Sequence, residues 1–301
     1  MRNLIVGGLV AALALTACSG AGGDASSAPA DGAADQSYDI GQVQTVDEIA
    51  KLLPKRIKDK GTLVVGAAVD YAPAEFLADD LKTPIGYEVD FAKAIGKVLG
   101  VETQVTNGEF AQLLPGMGTK YDIGMSAFTI TPERTANYTM IAHSQVGSSF
   151  ATKKGNPVGF DPEQLCGTTI AVQNGTYQHE ELGKKTKECT DAGKEAINVL
   201  VYAKHSDATT NVVGGKADAF YADSTVAGYA SKLTGGQLEL TGEVIEAEPQ
   251  GIVVPRDDAE LTKAVQTATQ HLMDDGTWPK IMEQWGTSNA TLTEATIHPE
   301  S

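Results

Sequence analysis

Recognisable catalytic and metal-binding signatures are missing from this 301-residue sequence. It has three cysteines, none in a paired zinc-binding spacing, and no HExxH, GxSxG or phosphate-binding Gly-Lys loop. Its five histidines, His143, His179, His205, His271 and His298, are scattered, so each reads as a surface residue rather than a metal ligand. Nothing argues for a hydrolase, and neither a metal nor a cofactor is expected. Positive charge is scarce too: 23 Lys and Arg face 39 Asp and Glu, a formal charge of −16 that argues against nucleic acid as a partner. The apolar run at 4–15 is too short to span a membrane as a mature helix, and no tandem repeat is visible.

What is present begins with a secretion signal over residues 1–17, in which Arg2 precedes the apolar run and Thr16-Ala17-Cys18 ends it. The Leu15-Thr16-Ala17-Cys18 run resembles a bacterial lipobox. That resemblance implies lipidation of Cys18 and an extracytoplasmic chain anchored to the cell membrane; a plain secretory peptide cut elsewhere is the alternative. Gly, Ala, Ser, Asp and Pro dominate the following stretch, so residues 18–41 read as a disordered tether. Cys166 and Cys189 remain, in an oxidising compartment where a pair is normally bridged. A strand over 168–173, roughly 20 Å long, and a returning helix over 177–188 of similar length would bring both cysteines to one edge. A disulfide is expected, with two free thiols as the alternative.

Hydrophobic residues make up 42% of the chain, enough for one large or two medium cores. A short leading helix, interrupted near Pro54, fits 47–60. Strand signals at 62–67, 101–106 and 121–127 then alternate with helix signals at 88–99 and 110–117, which implies an α/β fold with a mostly parallel sheet. After a strand at 148–152 the pattern restarts with strands at 168–173, 198–202 and 217–221 and helices between and after them. A strand at 251–255 and helices at 259–273 and 278–285 close the chain. The organisation expected is lobe one over 42–149, lobe two over 150–246, a return to lobe one over 247–290 and a mobile tail over 291–301. Two chain crossings would then let the lobes close as a hinge.

Candidate binding residues cluster where strands end. In Tyr-Asp-Ile-Gly-Met-Ser-Ala-Phe-Thr-Ile-Thr-Pro-Glu-Arg, residues 121–134, Thr131 suits a helix N-cap and Pro132 the first helical position. Arg134 then lies in the first turn, where the helix dipole disfavours a cation unless an anion sits beside it. That anion is either a ligand, with the Ser126 and Thr129 hydroxyls in reach, or a structural carboxylate. Asn174-Gly175-Thr176-Tyr177 opens a helix after a strand, giving a second anion cradle of backbone N–H groups or an ordinary capped turn. Asp223 also ends a strand and begins a helix; it either caps that helix or holds an ammonium. Tyr71 and Phe110 follow strands and either clamp a ligand or pack in the core.

Together, GTLVVG, YAP, IGYEVDFAKAIGKVLG, YDIGMSAFTITPER, LCGTTIAVQNGTYQ, ADAFYAD and DGTWPKIMEQWG resemble, in order across 61–286, extracytoplasmic solute-binding protein family 3. These are the polar amino-acid receptors of ABC importers. The resemblance implies a type II periplasmic-binding-protein-like fold of two hinged lobes, a monomer, a polar amino acid in the cleft, and delivery to a membrane permease without catalysis. It implies that Arg134 pairs with the α-carboxylate, aided by Thr129 and the Tyr177 backbone. Asp223 would hold the α-ammonium with the Ser126 and Ala127 region, Tyr71 and Phe110 would form aromatic walls, and Gln173, Thr176 and Gln178 would lie near the ligand. Two positions depart from the family. Ala68 stands where many members carry a side-chain-reading aspartate, a task open to Asp70 or Glu75, and Ala74 replaces an aromatic. A neutral polar or acidic ligand is favoured. Competing readings are a cyclohexadienyl dehydratase-like enzyme, with Glu75 or Glu109 as general acid or base, and a ligand-sensing module of a membrane receptor.

Overall fold

The computed structural model describes residues 36–298, so the signal, Cys18 and most of the expected tether lie outside the described residues. The chain enters through helices α1 (Asp47–Ala50) and α2 (Lys55–Lys60) and strand β1 (Thr62–Ala67). A small antiparallel sheet follows, of β2 (Asp70–Tyr71), β3 (Glu75–Leu77) and β4 (Pro84–Ile85). Next come α3 (Tyr87–Leu99), β5 (Glu102–Asn107), α4 (Phe110–Leu113), β6 (Ile123–Gly124) and α5 (Pro132–Thr135). The long strand β7 (Tyr138–Lys153) leads to β8 (Thr169–Gln173), α6 (Tyr177–Asp191), β9 (Asn198–Tyr202), α7 (His205–Val213), β10 (Ala219–Asp223) and α8 (Ser224–Leu233). A second long strand, β11 (Leu238–Pro255), returns to α9 (Ala259–Asp274), α10 (Thr277–Gln284) and β12 (Ile297–His298).

The main sheet runs β5-β1-β6-β11-β7-β10-β8-β9. Strands β5, β1 and β6 are parallel on one side and β10, β8 and β9 on the other, while β7 and β11 run antiparallel between them. These two strands carry the chain between the lobes. Their ladder breaks register at Thr241/Ile245, Ile245/Glu248 and Gln250/Gly251. Interrupted pairing bends and softens a ribbon locally, as a hinge requires.

Each lobe has its own aromatic packing. In α3, Phe91, Ile95, Val98 and Leu99 fall on one buried face, and Gly100 ends the helix at φ +69°. Trp278 of α10 stacks on Phe91 at 4.1 Å and donates Nε1–H to the His143 carbonyl at 2.8 Å. Trp285 donates to Asp90 Oδ2 at 2.8 Å, so the last helices close onto the first lobe. Burial of each large apolar side chain contributes about 1.5–3 kcal/mol. In the second lobe Phe150 stacks on Tyr221 at 4.2 Å. Cys166 and Cys189 form a disulfide with Cα atoms 5.6 Å apart, tying the approach to β8 to the last turn of α6.

Several sequence expectations need correction. The strand expected over 121–127 contracts to Ile123–Gly124, while those expected at 148–152 and 251–255 are ends of strands of 16 and 18 residues. The middle of β11 is mostly exposed and acidic, so it offers no apolar alternation to read. Residues 36–41 are not free tether: Tyr38 N–H donates to Asp90 Oδ2 at 2.8 Å, and Tyr38 and Ile40 pack on the core. The tail expected to be mobile from 291 is fixed as far as His298, because Thr291 bridges Ser144, Ala295 is buried and β12 pairs with β7. A two-residue strand is too short to leave a periodic signal. His143 and His205 are core residues rather than surface ones, and among the described residues no cluster could hold a metal.

Candidate functional site

Arg134 reaches the site because the chain turns sharply after β6. The Thr131 hydroxyl caps α5 by accepting the Arg134 N–H at 3.3 Å, with Pro132 in the first turn. The side chain is buried, 5% exposed, with its guanidinium carbon 5.8 Å from the ring centroids of both Phe110 and Phe128. Nη1 donates to the Thr129 carbonyl at 2.7 Å and Nη2 to the Gly175 carbonyl at 3.1 Å. Among the described residues no carboxylate forms an ion pair with it, which excludes the structural carboxylate considered above. Burial pulls its pKa below the ordinary arginine value, while Glu180, Asp223 and Glu133 act in the opposite direction. A buried cation satisfied only by carbonyls retains capacity for an anion.

The opposite wall comes from lobe two. Gly175 adopts φ +78°, and a Cβ there would meet the Ala111 Cβ at 3.1 Å, so glycine permits both the turn and the close approach of the lobes. The expected N–H cradle is narrower than the sequence suggested. Asn174 N–H is taken by the Tyr202 carbonyl and Gly175 N–H by His179 Nδ1, while the Thr176 hydroxyl accepts from His179 N–H. That leaves the Thr176 and Tyr177 N–H groups, which have no protein acceptor among the described residues, at the positive end of α6.

Asp223 sits at the N-cap of α8, but its side chain makes no capping bond. Oδ1 instead accepts from Gln178 Nε2 and Oδ2 from Gln250 Nε2, each at 2.7 Å. Its backbone N–H donates to the Tyr71 hydroxyl of the other lobe at 3.1 Å. Burial raises this carboxyl to about 6, against the bonds from Gln178, Gln250 and Tyr71 and with the repulsion of Glu88. No lysine, arginine or histidine pairs with it among the described residues, so the arrangement can accept a cation.

All eleven residues expected at the ligand line one nearly closed pocket. It leaves room for little more than one water-sized body, about 10 Å³. Ser126 Oγ donates to Glu75 Oε1 at 2.6 Å and accepts the Ala68 N–H at 3.0 Å. Ala127 is left-handed at φ +48°, a conformation costing a non-glycine residue about 1–2 kcal/mol. Gln173 donates to the Ala203 carbonyl, and its own carbonyl accepts from the Thr176 hydroxyl at 2.9 Å.

The other nominated carboxylates lie elsewhere. Glu75 is fully buried behind Ser126, its pKa raised by burial and by Glu88; Asp70 abuts the start of α7; Glu109 is exposed beside α4. None lines the pocket. The sequence reading missed Gln250, Gln178's counterpart on Asp223, and Glu88, whose Oε2 accepts the Ala127 N–H at 2.9 Å. A glutamine just before an apolar run and an acid inside an apolar helix face were the only traces of either.

Comparison with known proteins gives a consistent picture. The arginine-binding protein ArgT of Corynebacterium glutamicum is 35% identical over 258 residues, covering 85% of this chain and 84% of that protein. The L-cystine-binding protein TcyJ of Escherichia coli is 28% identical over 242 residues, covering 79% and 88%. An ancestral arginine-binding protein solved with arginine superposes with a TM-score of 0.68 at 30% identity, over 75% of this chain and 98% of that one. An ancestral arginine-binding protein bound to glutamine gives a TM-score of 0.66 at 29% identity, over 75% of this chain and 98% of that one. The model of the bacterial extracellular solute-binding proteins, family 3, matches residues 63–288, and the chain belongs to that family.

Proposed function

We propose that this protein is the extracytoplasmic receptor of an ABC importer that captures a polar amino acid between its lobes and hands it to the permease. The carrying observation is a buried guanidinium bonded only to carbonyls, at Arg134, and a buried carboxyl bonded only to neutral donors, at Asp223, in one pocket. A zwitterion supplies both missing charges. Its α-carboxylate goes to Arg134 and the Thr176 and Tyr177 N–H groups. Its α-ammonium goes to Asp223 beside Ser126 and Ala127. Charge-assisted bonds of about 1.5–3 kcal/mol each support micromolar or tighter binding after the cost of association.

Among the described residues, Arg134 and Asp223 are the only Arg, Lys, Asp or Glu side chains lining the pocket, and the zwitterionic head group would use both. Ala68 stands where many members carry a side-chain-reading aspartate, so the reading favours a neutral polar side chain. Calorimetry with the twenty amino acids and cystine tests this: glutamine-like ligands bind, and silence from the whole panel overturns the reading. Arginine, named in relatives, is the informative contrast. No turnover of prephenate or arogenate is expected.

The reading places a lipid on Cys18 and lobes at 42–149 with 247–290 and at 150–246. Labelling with an alkyne fatty acid, retained in the wild type and lost in Cys18→Ala, checks the anchor. A monomer is expected by light scattering.

A further inference from the structure

Left-handed backbone occurs at three described residues other than glycine: Leu81, Ala127 and Asn156. Leu81 is largely exposed, whereas Ala127 is buried in the pocket lining. Alanine does not hold that conformation unaided. The group that engages its amide is Glu88, in the first turn of α3, whose Oε2 accepts the Ala127 N–H at 2.9 Å. Glu88 is itself 1% exposed, and its Oε1 lies 3.1 Å from His143 Nε2 but off the line of a hydrogen bond. A buried carboxyl is a costly means of filling space; His143 stands beside Oε1 and the pocket-turn amide bonds Oε2, and of the two only the amide belongs to the site.

We propose that Glu88 is a positioning residue of the ligand site, holding Ala127 left-handed so that the turn presents Ser126, Ala127 and Thr129 to the cleft. The inference rests on the amino-acid-binding reading. If the amide is released, Ala127 relaxes toward ordinary backbone angles and the peptides on either side rotate. Ser126 then turns away from Glu75, and the Thr129 carbonyl, two residues on, shifts from Arg134 Nη1. Glu88 does not line the pocket, so any effect on binding passes through the turn.

Four proteins test it: wild type, Glu88→Gln, Glu88→Asp and Glu88→Asp with Ala127→Gly. Glutamine keeps an acceptor at the same reach, whereas aspartate keeps the carboxyl but falls one methylene short. Amide hydrogen exchange at residue 127 is measured by NMR in the ligand-free proteins, and affinity by calorimetry. The Ala127 amide stays protected in wild type and Glu88→Gln and loses protection in Glu88→Asp. Affinity for the amino acid stays within about threefold in Glu88→Gln and falls about tenfold in Glu88→Asp, the scale of one lost buried hydrogen bond. Glycine at 127, free to be left-handed, restores much of that loss. Equal protection in all variants, wild-type affinity in Glu88→Asp, or no recovery with glycine overturns the proposal. The exchange readout needs no ligand, so a wild type that binds no amino acid counts against the functional reading, while exchange still decides the role of Glu88.

Discussion

Arg134 Nη2 donates to the Gly175 carbonyl at 3.1 Å, joining the turn after β6 in one lobe to the turn after β8 in the other. The residue proposed to grip the ligand carboxylate is thus also a lobe-to-lobe contact. Arg134→Ala is expected to weaken amino-acid binding by about 100-fold or more, since it removes a buried charge together with its hydrogen bonds. Arg134→Lys keeps the charge but not the planar fork and should recover only part of the loss. Titration calorimetry on both variants checks this, and near wild-type affinity in Arg134→Ala removes the residue from the site.

Asp223 predicts a pH dependence of binding. Its carboxyl titrates at about 6 in the ligand-free protein because burial raises it. An ammonium pairs with the ionised form, so affinity is full well above 6 and falls about tenfold per unit as pH drops below it. Affinities measured from pH 4.5 to 8 should show that slope. Asp223→Asn should bind more weakly at pH 8 and lose the slope; an unchanged slope assigns the titration to another group.

Asp70 predicts a pH dependence of stability with the opposite sense from an ion-paired carboxylate. Burial raises it from 3.8 to about 6, opposed by the His205 and Ser206 N–H groups and Lys204. The folded state therefore holds the proton more tightly than the unfolded chain. The resulting stabilisation is complete below about 3.8 and is lost as pH rises through about 6. Asp70→Asn should raise ligand-free stability at pH 7.5 by about 1–2 kcal/mol, discounted for partial exposure, and change little at pH 4. Thermal melts at the two pH values decide it.

The disulfide closes a segment with a sequence separation of 23. Replacing both cysteines with alanine should cost about 3 kcal/mol of stability in the chain-entropy model. Because the bridge lies outside the pocket lining, affinity should change little. Denaturant unfolding and calorimetry on the double variant measure both, and a collapse in affinity would show that the bridge shapes the cleft.

Much of this was legible in order along the chain. The α3 face, the Thr131 cap and the Cys166–Cys189 pairing follow from spacing, because helix periodicity, capping and loop length are local properties. The pocket residues were found where strands hand over to helices, and the family resemblance gave each an expected role. The long crossing strands were not legible: polar β11 residues between the lobes have no core to face and carry no alternation.

The sequence by itself determined most of the α/β elements, made a cysteine pair the expectation and put an arginine in a helical first turn that called for an anion. Only the tertiary structure decided that no described carboxylate answers that arginine, that Asp223 is held by Gln178 and Gln250 rather than used as a cap, and that Glu88 holds Ala127 from behind. The reason is range. Caps and helix faces act over a few residues, whereas partners such as Arg134 and Gly175, or Tyr71 and Asp223, are separated by 41 and 152 positions and are brought together only by the tertiary fold.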